Sequence, residues 1–221
     1  MKNLFVCTAG LALLVIIATD LSAGEMSKRD EIVQLEAILK DSSDASPTDS
    51  TSPRRRDAIY YLGKIDDRRA FDLIRHTLLN DPYPAVRSMA AEVLQMSSFE
   101  SEAKLVLDSA LRDSSFPVRL YAAASLCRLG SKNPQVFNIL KNAAIGEGQK
   151  IWNTKGFLMP DAGEHLVQSV REGWQQHAIR SLGYSGSDIA AETLTRVSKS
   201  VPEEDEYQVQ KAIKKNNERR R

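Results

Sequence analysis

Apolar residues in this chain recur at helical spacing in short blocks divided by turn residues. Val86, Met89, Ala90, Val93 and Leu94 form one stripe, and Val118, Tyr121, Ala122, Ser125 and Leu126 repeat it at the same offsets. Intervals of three and four residues put each set on one face of a helix. Between these blocks run further stripes: Ala70, Leu73, Ile74 and Leu78; Leu105, Val106, Ala110 and Leu111; and Val136, Phe137, Leu140 and Ala143. They predict second helices over Arg69 to Asn80, Ser101 to Arg112 and roughly Pro134 to Ala144. Asp81-Pro-Tyr-Pro and Asp113-Ser-Ser-Phe-Pro offer a capping side chain and then a proline, which the first helical turn tolerates. Gly63 and Gly130 supply stops.

The blocks share one period. Asp49, Asp81 and Asp113 stand 32 residues apart, and Arg55, Arg87 and Arg119 follow them by six. Ala58, Ala90 and Ala122 come three residues after each Arg, and Leu62, Leu94 and Leu126 seven after. A stripe this narrow cannot stabilise an isolated helical hairpin, but stacked neighbours bury it from both sides. The expected fold is therefore all-α: a right-handed solenoid of stacked antiparallel helix pairs.

The register divides the chain. Repeats are expected over residues 49–80, 81–112 and 113–145. Ile38-Leu39-Lys40-Asp41 matches Leu78-Leu79-Asn80-Asp81, so residues 27–41 read as a lone second helix that begins the stack. Ser42 to Thr51 is then an expanded junction. After the third repeat the period breaks at an insertion, residues 146–163, and resumes over 164–201, where Ala178, Ile179, Leu182 and Gly183 restore the spacing of Ala58, Ile59, Leu62 and Gly63. This helix is expected to start as early as Glu164, with Leu166, Val167, Val170 and Trp174 sharing a face with Ala178; Ile189, Leu194 and Val197 are the expected core of its partner. Residues 202–221 begin with acids and end in Lys and Arg, which suits a terminal capping helix.

Residues 1–23 are set apart. Lys2 precedes an apolar run from Leu4 to Ala18, and Leu21-Ser22-Ala23 ends on a small residue. That is the plan of a secretory signal peptide, with cleavage expected after Ala23 and the solenoid occupying 24–221. The run is short of the ~20 apolar residues of a membrane span, so contact with a membrane is expected only if the segment stays uncleaved as an anchor. The chain has 30 basic and 29 acidic residues, a net charge of +1. That balance argues against a nucleic-acid partner. Beyond the segment Cys127 is the one cysteine, so no internal disulfide forms, and its place beside Leu126 reads as packing rather than as a nucleophile.

Asp81-Pro-Tyr-Pro-Ala-Val-Arg-Ser-Met-Ala-Ala-Glu-Val-Leu resembles a HEAT repeat, and the 32-residue unit is similar to the short, phycobilisome-lyase-like subtype. The resemblance implies that Asp49, Asp81 and Asp113 and Arg55, Arg87 and Arg119 form a ladder tying neighbouring units. Gln175 takes the Arg position of the fourth unit, so the charged ladder is expected to stop there. The resemblance also implies a concave face, built mainly from the second helices, that holds a protein partner.

No catalytic constellation is legible. His76, His165 and His177 lie far apart, and there is no His-x3-His pair, paired Cys or Gly-x-Ser-x-Gly; no metal and no cofactor are expected. Two features localise contact. The insertion carries Trp152 and Phe157 among glycines, and such rings either anchor a partner or fold back over the third repeat. Glu36, His76 and Asp108 each stand five residues before Asp41, Asp81 and Asp113, which places them in a row on the second helices with Arg75 beside His76. The expected function is an exported, non-catalytic scaffold that binds a protein partner. The alternatives are a lyase-type accessory acting on a bound small molecule, or a scaffold tethered to a membrane.

Overall fold

The computed structural model describes residues 27–41, 53–146, 164–201 and 203–220. Among these it contains ten α-helices and no strand: α1 (Lys28–Lys40), α2 (Pro53–Leu62), α3 (Arg68–Asn80), α4 (Pro84–Val93), α5 (Glu100–Ala110), α6 (Phe116–Arg128), α7 (Pro134–Ala144), α8 (Glu164–Ser185), α9 (Asp188–Ser198) and α10 (Glu203–Arg219). A single 3-10 turn, Leu94–Met96, follows α4. The chain is an α-solenoid of two layers. Helices α2, α4, α6, α8 and α10 pack in succession as one layer, and α1, α3 and α5, then α7 and α9, line the other.

Local chemistry accounts for the helix starts. The side chains of Ser27, Asp67, Asn133 and Ser187 accept backbone N–H bonds at the N-termini of α1, α3, α7 and α9. Asp81 and Asp113 do not cap directly. Each folds back one step earlier, accepting from the N–H two residues on, Tyr83 at 2.9 Å and Ser115 at 2.7 Å; these Asx turns aim the following prolines into the first turns of α4 and α6. Gly130 ends α6 at φ 77°, and the Ser131 N–H reaches back to the Leu126 carbonyl at 2.9 Å, the six-to-one bond of a Schellman cap. Gly63 follows α2 for a different reason: a Cβ there would stand 2.6 Å from the Val93 Cβ. It is a point of close approach.

The repeated Ala and Leu positions form the spine of the core. Ala58, Ala90, Ala122 and Ala178 are buried, as are Leu62, Leu94, Leu126 and Leu182. Small residues let the first helices come together closely, and this layer is the more tightly packed of the two. Cys127 is fully buried; its thiol lies 3.7 Å from the Ser181 carbonyl, and burial pushes its pKa up to about 11. That environment favours the protonated thiol and is poor for a nucleophile.

Two expected core positions, Leu105 and Ile189, are corrected, and the face expected to carry Leu166 is not buried at its start. Leu105 is 73% exposed, because α5 buries the stripe Ala103, Leu107 and Ala110, and a residue two places past Ala103 points to the opposite side. Ile189 lies on the outer side of α9, which buries Ala190, Thr193, Leu194 and Val197. Leu166 is half exposed on the first turn of α8, ahead of the buried Trp174.

Candidate functional site

Arg55 and Arg87 tie their units to the next. Arg55 pairs with Asp81, with side chains 14% and 1% exposed. Arg87 binds Asp113 through two parallel bonds of 2.8 and 2.9 Å and also donates to the Asp81 carbonyl at 2.8 Å. The fork geometry suits guanidinium and carboxylate. Arg119 donates to the Asp113 and Ser114 carbonyls at 2.6 and 2.9 Å and lies 5.7 Å from the Phe116 ring; burial lowers its pKa against the pull of Asp113. The ladder does not end in disorder at Gln175. Its amide donates to Asp205 at 3.1 Å, so a neutral rung stands where a charged one was expected to be missing. Asp49 lies outside the described residues.

The expected row on the second helices is largely occupied by its own neighbours. Glu36 pairs with Lys40 at 2.6 Å and Arg69 at 2.5 Å, and these bonds lower its pKa. Asp108 accepts from Asn133 at 2.8 Å, His76 meets Asn80 at 3.2 Å, and Arg75 approaches Asp72 at 3.4 Å. Arg75 and His76 are exposed on α3 and line neither of the cavities described below. Trp152 and Phe157 lie outside the described residues.

A groove lies instead on the first-helix layer. A cavity of about 470 Å³ is lined by Glu92 of α4, Arg128 of α6, His177, Arg180 and Tyr184 of α8, and Arg219 of α10. Its floor follows from the register. Glu92, Ala124 and Arg180 occupy the same position of successive first helices, and Ala124, small and buried, leaves the space between its two long neighbours. A second cavity, of about 380 Å³, adjoins it between α8 and α10, sharing Arg180 and Tyr184 and adding Lys211, Lys214 and Lys215.

The fold uses some of these cations and leaves others unpaired: Arg219 donates to the Tyr184 carbonyl at 2.7 Å. Arg180 is exposed and makes no hydrogen bond or ion pair with the described residues. Arg128 donates to Gln95 at 2.9 Å, yet its buried Nε has no partner. Arg128, Arg219 and Lys215 gather round the Tyr184 ring at 5.6, 5.3 and 5.7 Å, each within cation–π range. Burial pushes the Glu92 carboxyl up, against Arg128, Arg180 and Arg56. His177, 4.6 Å from the Tyr121 ring, is held down to about 4 by burial and then by Arg128 and Arg180, so it is neutral near pH 7. The groove thus presents several fixed positive charges to one acid, Glu92, whose charged form burial disfavours. The overall charge of +1 concealed this, because the acids lie elsewhere.

The family comparison fits the observed stack. Residues 32–127 match the family model for HEAT repeats. This stretch is similar to HEAT repeats. It runs from α1 to the end of α6, and α7 to α10 extend the same two layers beyond the matched HEAT repeats. No curated protein matches the chain in sequence. Among the described residues no group of His, Cys, Asp or Glu is placed to hold a metal ion, and no helix is long and apolar enough to cross a membrane.

Proposed function

We propose that this protein is an exported, non-catalytic HEAT-repeat scaffold that holds a protein partner in the groove of its first helices. HEAT repeats are commonly surfaces for protein–protein contact, and a solenoid offers an extended face for it. The observation that carries the reading is the groove itself: a cavity of about 470 Å³ spanning four helices, with Arg180 free of any fold-stabilising pair among the described residues. The Arg128 Nε, buried without an acceptor, is a cost to folding that a bound partner offsets. Export rests on Lys2, the Leu4–Ala18 run and Ala23. The 32-residue period supports placing the repeats in the short, phycobilisome-lyase-like subtype.

Capture by cross-linking from the cell envelope, with the full chain and its Arg180→Glu variant as paired baits, tests this reading. One saturable partner held by the wild type and released by the variant is the expected result. Equal capture by both would remove the groove as the surface, and no saturable partner would remove the scaffold. Mass spectrometry of the native product should give an N-terminus at Gly24; an intact Met1 would favour the tethered form.

A further inference from the structure

We infer that the first-helix groove is built for an acidic polypeptide segment, with side-chain carboxylates seated against Arg128, Arg180 and Arg219 and the chain laid across Tyr184. This deepens the scaffold reading and rests on it.

Charge sets the ligand's sign. Around the two adjoining cavities stand Arg128, Arg180, Arg219, Lys211, Lys214 and Lys215, faced by Glu92 and Glu218. That is a local excess in a chain with a net charge of only +1. A low-dielectric groove lined by one sign of charge concentrates ligands of the other sign. The geometry favours carboxylates because guanidinium groups bind them through paired N–H donors, and the Arg128 Nε is buried without an acceptor.

Size and shape favour a chain over a free ion. The cavities hold about 470 and 380 Å³ and meet at Arg180 and Tyr184. A single inorganic anion is a few water volumes, at ~30 Å³ each, and would leave most of this space unfilled. The site runs across three successive helices, α6, α8 and α10, as an extended peptide does. A flat bilayer headgroup surface meets a convex basic face better than a recess with Glu92 at one wall. The Tyr184 ring already carries three cations around it and gives the backbone of a bound segment an apolar rest.

The test uses a fluorescein-labelled hexaglutamate peptide, with binding to the full chain followed by anisotropy at low salt. Saturable binding is expected. Arg180→Glu should weaken it by at least about tenfold, whereas Arg75→Glu, on the second-helix face, should leave it within about twofold. Arg180 makes no pair in the fold, so its variant should keep the wild-type melting temperature and helical circular dichroism. Sodium phosphate should compete no better than sodium chloride of equal ionic strength. Four results would overturn the inference: no binding; equal binding by Arg180→Glu and wild type; displacement by phosphate well beyond ionic-strength screening, which would mark a small-anion site; or tighter binding of phosphatidylglycerol vesicles or of a single-stranded oligonucleotide than of hexaglutamate. If envelope capture depends on Arg180 while hexaglutamate does not bind, the scaffold reading stands and the acidic one falls.

Discussion

Arg87 shows what one side chain does in a stack of this kind. It spans a junction by holding both carboxylate oxygens of Asp113 while donating to the Asp81 and Pro82 carbonyls behind it. Arg87 and Asp113 are 12% and 13% exposed, so removing one charge strands the other in a largely dry site. Arg87→Ala should therefore cost about 3 kcal/mol. Arg75, 47% exposed beside Asp72, should cost under about 1 kcal/mol when replaced by Ala. Thermal denaturation of the two variants decides it; matching shifts would mean that the ladder contributes no more than an ordinary surface pair. The six-residue step from Asp to Arg was visible in the sequence. The resemblance implied a ladder between units, but not which acid each Arg takes: Arg55 and Arg87 reach the acid 26 residues ahead, in the next unit, whereas Arg119 stays on the carbonyls of its own unit. The same holds for Gln175, whose loss of charge is legible but whose amide bond to Asp205 depends on where α10 lies.

At the scale of the helix, periodicity located the elements well and their rotation less well. The second helices were expected within a few residues of where α3, α5 and α7 lie, and α7 spans the expected Pro134–Ala144. The face of α5 was misjudged because Leu105 draws the eye to a stripe of large residues, while the buried stripe passes through small ones, Ala103 and Ala110. Ala103 and Ala110 are core residues of α5 despite their size, so size is a poor guide to burial. Leu107→Ala should destabilise by about 2–5 kcal/mol, and Leu105→Ser should stay within about 0.5 kcal/mol. Urea unfolding of both would check this; a larger effect at Leu105 would reverse the orientation of α5. The junctions also turned on a detail of element ends. Asp81 and Asp113 form Asx turns three residues ahead of the helix rather than capping it, which leaves each carboxylate able to accept an Arg from the preceding unit.

Across the whole molecule, the groove was hidden because it belongs to no single repeat. Glu92, Ala124 and Arg180 share a register position, so the row was available to inspection, but its meaning needs three helices side by side and a fourth supplying Arg219. His177 sits in this assembly between α6 and α8 and links the stack to pH. Its pKa falls from 6.5 to about 4 on folding, so the unfolded chain takes up the proton first. The stabilising contribution is complete above about pH 6.5 and is lost as the pH falls toward 4, amounting to roughly 2 kcal/mol by pH 5. Melting at pH 7 and pH 5 should show this loss in the wild type and a smaller one in His177→Gln; equal losses would assign the acid sensitivity to other groups. A stacked array opens most readily from its ends. The last described helix, α10, carries Arg219, Lys211, Lys214 and Lys215, so any opening of the array there also dismantles one wall of the groove. Occupancy and that opening are therefore linked equilibria. A ligand in the groove lengthens the life of this helix by mass action, and slower amide exchange along α10 would register its arrival at a distance from the family-matched repeats.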